Sequence, residues 1–310
     1  MSPAPLVALQ MCPFSEYLES EIAGRFQVVR WYELDEPARE SLLSTRATDI
    51  RAVATAGHVG CPAELVRRLP KLQVIAINGV GLDKVDLALA ASRGIKVTTT
   101  PGALAEDVAD LAVGLVIGLL RGIAQADAFV RSGQWLAGER GLARKVTGRR
   151  FGILGLGQIG SAIAARLAPF GPVSYSGPRR KPVPYGYHDN VLALAQASDV
   201  LVIACPATPA TLRMVDAAVL AALGEEGYLV NVSRGAIVDE AALIEALETG
   251  RLAGAGLDVF ADEPRVPAAL CDSPRTLLTP HIASATIETR RRMADMVLAG
   301  LDSIEAIPGA

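Results

Sequence analysis

The sequence has few cysteines, few histidines and no excess of positive charge. Its four cysteines, Cys12, Cys61, Cys205 and Cys271, are widely scattered and form no CxxC pair. No histidine accompanies them at metal-ligand spacing, so we expect reduced thiols and no metal site. The net charge of −3 provides no positive field for a nucleic acid or an anionic membrane surface. Both partners are therefore unexpected.

Long hydrophobic runs are also missing. The longest apolar segment, residues 111–120, contains two glycines and is too short to span a bilayer. The first residues, MSPAPLVALQ, lack the basic stretch and long apolar run of a secretory signal. Hydrophobic residues at 51% and charged residues at 20% are nevertheless typical of a folded globular protein. We expect a cytoplasmic protein.

Short apolar runs alternate with helical patterns along the chain. The first hundred residues contain LVALQ, FQVVR, QVIAI and IKVTTT, and the rhythm restarts after Gly148 with FGIL, VSYS, DVLVIA, YLVNV, AGAGLDV and TLLT. Such alternation predicts parallel strands joined by crossover helices. We expect an α/β protein with two doubly wound parallel sheets, Rossmann-like or flavodoxin-like, and an active site in the cleft between two domains.

Two further helical patterns connect these sheets. Apolar residues recur at helical spacing between Gly102 and Arg131, which predicts one long connecting helix. Residues 284–304 are also helical in pattern and are followed by no strand, so this segment is expected to return to the first domain. The division predicted is a substrate domain of residues 1–99 and 285–310 and a dinucleotide-binding domain of residues 100–284.

A glycine-rich turn follows the strand FGIL. It runs Gly155, Leu156, Gly157, Gln158, Ile159, Gly160 and leads into the helical segment SAIAARLAPF. The first glycine suits a tight turn, the second a close approach to a pyrophosphate, and the third close packing of helix on strand. A purely structural glycine turn is the alternative. Its position between a strand and a helix favours a dinucleotide site.

The end of the next strand indicates which dinucleotide is bound. An NAD enzyme normally carries a carboxylate about twenty residues after the first glycine. In this chain VSYS ends at Ser176 and continues GPRRK, so Gly177, Arg179 and Arg180 stand there without an acid. The arginine fork suits phosphate. A solvated basic loop is the alternative, but loss of the acid together with gain of base favours NADPH, with NADH possible.

Three later loops carry groups suited to reduction of a keto acid. That reaction needs a cation to hold the carboxylate and an acid to protonate the carbonyl oxygen. Arg234 follows YLVNV, Glu263 follows AGAGLDVF, and His281 follows TLLTP. A carboxylate beside an imidazole favours its charged form. Taken singly, each residue could equally be a surface charge, a turn residue or a packed histidine; their joint arrangement favours a site.

The segments that contain these residues resemble a known family. GLGQIG, NVSRGAIVDE, GAGLDVFADEP and LLTPHIASAT, with NGVGLDKVD and TPGALAEDVADLAVGL upstream, resemble the D-isomer-specific 2-hydroxyacid dehydrogenases over about residues 72–298. The resemblance implies that Arg234 binds the substrate carboxylate and carbonyl. It further implies that His281 is the acid in reduction and the base in oxidation, and that Glu263 orients and charges it.

The resemblance also implies contacts beyond these three residues. Backbone groups of Val80 and Gly81 would hold the carboxylate, Gly57 would line the pocket, and Ser284 would hydrogen-bond the substrate. Asp258 would bind the nicotinamide carboxamide. Further residues expected along the cofactor are Pro206, Val232 and Ala283. The alternatives are that Asp258 is a satisfied turn aspartate and that the NGVG segment is only a turn.

Within the family, RSGQWLAGERGL, SYSGPRRK and HIASATIETRRRMAD most resemble the NADPH-dependent glyoxylate and hydroxypyruvate reductases, including hydroxyphenylpyruvate reductases. This implies reduction of small 2-keto acids to D-2-hydroxy acids by a homodimer. The arm with Trp135 would make dimer contacts and approach the partner's substrate pocket, or serve only as an interface anchor. One of Arg290, Arg291 and Arg292 is a candidate to face the substrate, although charges on a C-terminal helix are usually solvated.

Two kinds of alternative remain open. The first is another enzyme on the same scaffold, such as a 2-ketogluconate reductase, a phosphoglycerate dehydrogenase or a formate dehydrogenase. The second is a nucleotide-sensing binding protein, like the corepressors that share this fold, because a fold does not determine a function. Turnover of 2-keto acids distinguishes the two kinds.

Overall fold

The computed structural model describes residues 6–304. Residues 1–5, on which the expectation about a secretory signal partly depends, and residues 305–310 lie outside the described chain. The described residues divide into unit 1, formed by residues 6–104 and 285–304, and unit 2, formed by residues 105–284. The division predicted from the sequence differs from these units in residues 100–104.

Residues 6–304 contain twelve β-strands. They are β1 (Val7–Gln10), β2 (Gln27–Arg30), β3 (Ile50–Ala56), β4 (Val74–Asn78), β5 (Lys96–Thr98), β6 (Phe151–Leu154), β7 (Val173–Ser176), β8 (Gly186–His188), β9 (Val200–Ile203), β10 (Tyr228–Asn231), β11 (Gly254–Leu257) and β12 (Thr276–Leu278).

The α-helices in chain order are α1 (Glu16–Arg25), α2 (Glu36–Arg46), α3 (Ala63–Arg68), α4 (Leu87–Ser92), α5 (Ala105–Arg121), α6 (Ile123–Arg131), α7 (Gln158–Leu167), α8 (Val191–Gln196), α9 (Ala217–Leu223), α10 (Glu240–Glu248), α11 (Ala268–Cys271) and α12 (Ile287–Leu301). Many start where a short polar side chain accepts a hydrogen bond from a backbone N–H of the first turn, which satisfies a group the helix leaves unpaired. These capping residues are Ser15, Asp35, Asp86, Asn190, Asp216, Asp239 and Thr286.

Each unit contains one parallel sheet. Unit 1 has five strands in the order β2-β1-β3-β4-β5, the flavodoxin-like arrangement. Unit 2 has seven strands in the order β12-β11-β10-β9-β6-β7-β8, and its first six strands in chain order follow the Rossmann arrangement. The prediction of two doubly wound parallel sheets is confirmed.

Helices cover both faces of the unit 1 sheet. On one face, Leu18 and Ile22 of α1 and Ala294 and Val297 of α12 pack in one buried cluster with alanines of β1, β3 and β4. The other face buries leucines and valines from α2 and α3 against β3 and β4. Small alanines on the strands let α12 lie close to the sheet. In unit 2, a comparable cluster joins α8, α9 and α10 to the sheet.

Two details differ from the sequence predictions. The single long helix predicted between residues 102 and 131 was wrong, because Gly122 adopts a left-handed conformation (φ 57°) that separates α5 from α6. The edge strand β8 was not predicted, since GYH contains no apolar run. Between residues 6 and 304, no helix combines the length and apolar character required to cross a membrane.

Candidate active site

Three neighbouring strands of unit 2 end in the loops that carry Arg234, Glu263 and His281. Arg234 follows β10, Glu263 follows β11, and His281 follows β12, and these strands are adjacent in the sheet. Because all pairings here are parallel, the three loops leave the same carboxyl edge. Ligands of open α/β sheets bind outside this edge. The fold therefore collects the three predicted groups on one side of unit 2.

Arg234 sits in a turn that hydrogen bonds hold on both sides. The Asn231 side-chain amide donates to the Arg234 carbonyl at 2.9 Å, and its amide oxygen accepts from the Ser233 N–H at 3.0 Å. The Ser233 hydroxyl donates to the Cys205 carbonyl at 2.5 Å, which ties the turn to the end of β9. Asn231 and Ser233 are positioning residues that the sequence analysis did not identify.

The turn also lies directly against the loop that follows β11. A side-chain carbon built on Gly235 would fall 1.9 Å from the Phe260 carbonyl carbon, so only glycine fits at this contact. The same Phe260 donates its backbone N–H to Glu263 Oε1 at 3.0 Å. Gly235 thus brings the arginine turn next to the backbone that orients the Glu263 carboxylate.

Glu263 and His281 form a close pair. Glu263 Oε2 lies 2.6 Å from His281 Nδ1, and the two side chains are 23% and 31% exposed. The carboxylate is therefore held by Phe260 on one oxygen and by the imidazole on the other. A carboxylate at Nδ1 fixes the ring and leaves Nε2 as the nitrogen that can exchange a proton with a ligand.

Asp258 organises the segment that carries His281. Its buried carboxylate accepts hydrogen bonds from the Thr279 hydroxyl at 2.6 Å, the Ile282 N–H at 2.8 Å and the Ala283 N–H at 3.0 Å. Its carbonyl accepts from the His281 N–H at 2.8 Å, and His281 itself has a left-handed φ of 54°. Asp258 is thus a positioning residue, and its expected contact with the cofactor carboxamide stays a prediction.

The glycine turn after β6 shows a distinct environment at each glycine. Gly155 has φ 93° and lies so close to Cys205 that a side-chain carbon would sit 2.6 Å from its Cα. At Gly160 an added carbon would fall 1.9 Å from the Gly155 carbonyl oxygen. Gly157, by contrast, faces open space and precedes α7 without any side-chain cap. Two glycines therefore allow tight packing, and the third leaves the N-terminus of α7 accessible near Gln158 and Ile159.

The end of β7 lies beside this turn. Gly155 donates its N–H to the Ser176 carbonyl at 2.8 Å, and Ser176 is buried. After Gly177, the side chains of Arg179 and Arg180 are exposed. Lys181 bends back, with its N–H donating to the Tyr175 hydroxyl at 2.6 Å and its ammonium donating to the Leu156 carbonyl. Lys181 thus contacts the glycine turn, and the exposed Arg179 and Arg180 follow the same strand end.

In unit 1, two glycine-containing loops meet at the carboxyl edge of the sheet. A side-chain carbon on Gly57, after β3, would lie 3.2 Å from the Gly81 carbonyl oxygen. Val80, between the glycines of the loop after β4, is 39% exposed. The Gly79 carbonyl accepts a hydrogen bond from the Thr100 N–H at 2.9 Å, which ties this loop to the residues that follow β5. The structure therefore brings Gly57, Val80 and Gly81 together. Because two of the three are glycines, the loops present mainly backbone groups here.

The remaining predicted residues occupy varied positions. Val232 and Ala283 are buried next to the Arg234 and His281 segments, whereas Pro206, after β9, is exposed and Ser284 is half-buried. Trp135 lies in a short 3₁₀ turn after α6 and is 66% exposed. Its expected approach to the partner's substrate pocket stays a prediction.

Comparison with known proteins gave consistent similarities. Residues 113–283 match the family model described as D-isomer specific 2-hydroxyacid dehydrogenase, NAD binding domain. The chain is 46% identical over 297 residues to a hydroxyphenylpyruvate reductase of Plectranthus scutellarioides, covering 95% of this chain and 94% of the relative. It is 47% identical over 297 residues to a glyoxylate/hydroxypyruvate reductase of Arabidopsis thaliana, with the same coverage, 95% and 94%.

One solved structure is similar to this chain over nearly the whole length of both proteins. It is the NADPH-dependent glyoxylate/hydroxypyruvate reductase of Sinorhizobium meliloti in complex with NADP and malonate. The TM-score is 0.90 at 40% identity, and the match covers 97% of this chain and 93% of that chain.

Proposed function

The chain belongs to the D-isomer specific 2-hydroxyacid dehydrogenase family, and from this premise we propose that it reduces small 2-keto acids to D-2-hydroxy acids with NADPH in preference to NADH. The substrates proposed are glyoxylate and hydroxypyruvate, with hydroxyphenylpyruvate as a larger member of the same class. The names of the two plant relatives and of the Sinorhizobium meliloti enzyme support this choice. Each of these proteins is named as a reductase, and none supports the corepressor-like alternative.

The glycine turn fits a dinucleotide. The open space at Gly157 and the uncapped start of α7 leave backbone N–H groups and the positive end of the helix dipole available to a pyrophosphate. The close contacts at Gly155 and Gly160 keep the turn compact beneath it. When bound, the reduced cofactor supplies the hydride. Pro206, Val232, Asp258 and Ala283 remain the further residues proposed along it.

The end of β7 supports NADPH over NADH. No carboxylate stands at Ser176 to accept the ribose hydroxyls, and the exposed Arg179 and Arg180 offer forked donors to a 2′-phosphate. Lys181 adds a third charge next to the glycine turn. NADH remains a possible second cofactor because the pyrophosphate-binding turn is common to both dinucleotides.

The proposed chemistry uses three side chains of unit 2. Arg234 binds the substrate carboxylate and orients the carbonyl. His281 holds a proton on its imidazole and donates it to the carbonyl oxygen as negative charge develops there. Glu263 stabilises the protonated ring and fixes its orientation through the 2.6 Å contact at Nδ1. In unit 1, the backbone at Val80 and Gly81 is proposed to hold the carboxylate, with Gly57 and Ser284 as further substrate contacts.

The observation that carries the proposal is the Glu263–His281 pair beside the Arg234 turn at three adjacent strand ends. The test is a panel of glyoxylate, hydroxypyruvate, hydroxyphenylpyruvate and 2-ketogluconate, each measured with NADPH and NADH. We expect turnover of glyoxylate and hydroxypyruvate with the higher kcat/KM for NADPH. Tight NADPH binding without oxidation by any keto acid would contradict the proposal and favour a binding protein.

The cofactor preference has its own test. Replacing Arg179 and Arg180 together by alanine should lower kcat/KM for NADPH by about tenfold to a hundredfold, with little change for NADH, because two charge-assisted contacts to phosphate are lost. Arg149→Ala is the matched control, since Arg149 precedes β6 at the opposite edge of the sheet. Equal losses for both cofactors would rule out recognition of the 2′-phosphate.

We also propose a homodimer in the cytoplasm. The arm after α6 exposes Trp135, Leu136 and Leu142, the last two at 96% and 104% of their full surface, and exposed apolar side chains of this kind typically bury themselves in an interface. Light scattering should give twice the mass of one chain. Leu136→Asp combined with Leu142→Asp should give the monomer, and a wild-type monomer would contradict the dimer.

A further inference from the structure

Arg290 lies on the face of α12 that packs against the unit 1 sheet. The spacing from Arg290 to Ala294, Val297 and Leu301 is i, i+4, i+7 and i+11, which is one stripe of an α-helix. The three apolar members of this stripe are fully buried in the cluster that includes alanines of β1, β3 and β4. Arg290 is therefore a cation at the end of an otherwise apolar, sheet-facing stripe.

The contacts of α12 with α1 show which edge of the sheet Arg290 approaches. At the C-terminal end of α12, Asp302 pairs with Arg25 at 2.5 Å, immediately before β2 begins. In the middle of α12, Asp295 accepts from the hydroxyl of Tyr17, in the first turn of α1, at 2.8 Å. The helix thus runs from the carboxyl edge of the sheet to the amino edge. Arg290, near its start, lies at the carboxyl edge.

The environment of Cys12 supports this position. Burial raises the pKa of the Cys12 thiol to about 11, while a hydrogen bond from the Ala56 backbone and the charge of Arg290 act in the opposite direction. Ala56 directly precedes Gly57, which contacts Gly81. The guanidinium therefore shares an edge of unit 1 with the backbone proposed to hold the substrate carboxylate.

The described part of the chain supplies no carboxylate that forms an ion pair with Arg290. Among residues 6–304, the ion pairs found do not include Arg290, and burial lowers the pKa of its guanidinium. Its neighbours on α12 differ, because Arg291 stacks 4.7 Å over the Tyr17 ring and both Arg291 and Arg292 are exposed. A half-buried cation without an anion is unfavourable unless a ligand supplies one.

We propose that Arg290 determines substrate specificity by binding an oxygen atom on the third carbon of the 2-keto acid, the hydroxyl of hydroxypyruvate or a second carboxylate. The proposal rests on the reductase function proposed above and deepens it by naming the preferred substrates. The keto acids that use this contact carry an oxygen beyond the keto carbon. Glyoxylate has no third carbon, and pyruvate has only a methyl group there.

The experiment compares kcat/KM of Arg290→Met and the wild type for glyoxylate, pyruvate, hydroxypyruvate and ketomalonate, with NADPH. Methionine is an unbranched apolar side chain that suits the buried stripe, and it lacks the guanidinium. We expect losses of about tenfold or more for hydroxypyruvate and ketomalonate, and about threefold or less for glyoxylate and pyruvate. Arg290→Lys should recover part of the loss with ketomalonate, because it restores the charge without the fork.

Arg292→Met is the matched control, since it removes the same charge from the exposed side of the same helix and should leave all four values unchanged. A similar loss for all four substrates in Arg290→Met, or no loss for any, would overturn the proposal. Unfolding midpoints of the variants show whether a general loss comes from instability. A wild type that reduces none of the four keto acids would instead overturn the reductase function itself.

Discussion

The two units contribute chemistry of different kinds. In unit 2, Asn231 holds the backbone turn of Arg234, the Phe260 N–H donates to the Glu263 carboxylate, and the Asp258 carboxylate accepts from the segment that carries His281. Unit 1 offers mainly backbone, at the contact between Gly57 and the loop containing Gly81, with Arg290 as its one proposed charged contact. We therefore propose that unit 2 carries proton transfer and cofactor binding and that unit 1 holds and selects the substrate.

If unit 2 carries the chemistry, the largest effect should come from His281. His281→Ala removes the proton donor and should lower kcat by about a hundredfold to ten-thousandfold with a much smaller change in KM. Steady-state kinetics with hydroxypyruvate and NADPH measure both constants. His188→Ala, in the edge strand β8 of the same unit, serves as the control and should be close to wild type. A kcat for His281→Ala near the wild-type value would contradict the proposal that unit 2 supplies the proton donor.

Unit 1 should respond in KM rather than in kcat. In Gly57→Ala the added carbon would lie 3.2 Å from the Gly81 carbonyl oxygen, so the two loops must separate by a few tenths of an ångström. We expect KM for hydroxypyruvate to rise by about threefold to tenfold while kcat changes by less than about twofold. Gly24→Ala is the control, because no atom lies within 4 Å of the added carbon. A fall in kcat with an unchanged KM would show that unit 1 takes part in the chemical step.

The smallest expected effect is in the reactivity of the cysteine thiols, which reports how tightly each unit is packed around them. Burial raises the pKa of Cys12 to about 11 and that of Cys61 to about 12, so both unit 1 thiols stay neutral and shielded at about pH 8. Cys205 of unit 2 is similarly buried, and burial raises its pKa to about 11. Only Cys271, which is exposed and lines a cavity with Glu263 and His281, should react with iodoacetamide. Mass spectrometry should find one label per folded wild-type chain and no label on the Cys271→Ser variant. Labelling of Cys12 would contradict the packing described for unit 1.

The same contrast explains how much the sequence could predict. The apolar strands and the glycine turn could be predicted because each depends on a local pattern of residue types. Arg234, Glu263 and His281 could be proposed because they are reactive side chains at predicted strand ends and lie in segments that resemble the family. By contrast, the contact between Gly57 and Gly81, and the one between Gly235 and Phe260, join residues far apart in sequence and depend on the absence of a side chain.

Positioning residues were equally hard to predict. Asp258 bonds to residues more than twenty positions later in the chain, so its effect on the His281 segment appears only when β11 and β12 pair. Asn231 looks like an ordinary strand residue until its amide is seen to hold the Arg234 turn. The break between α5 and α6 could not be predicted, because the helical spacing of apolar residues continues through Gly122 and does not reveal that this one residue is left-handed.

The central claim is that Glu263 supports His281 as the proton donor, and Glu263→Gln tests it most directly. Glutamine keeps the shape and a hydrogen bond but removes the charge that stabilises the protonated imidazole. The pH dependence of kcat/KM for hydroxypyruvate reduction should be measured for wild type and variant. Because the ring then lacks this neighbouring negative charge, we predict that reduction by the variant fades at a lower pH than reduction by the wild type. A pH profile that coincides with that of the wild type would contradict the pairing on which the proposed function depends.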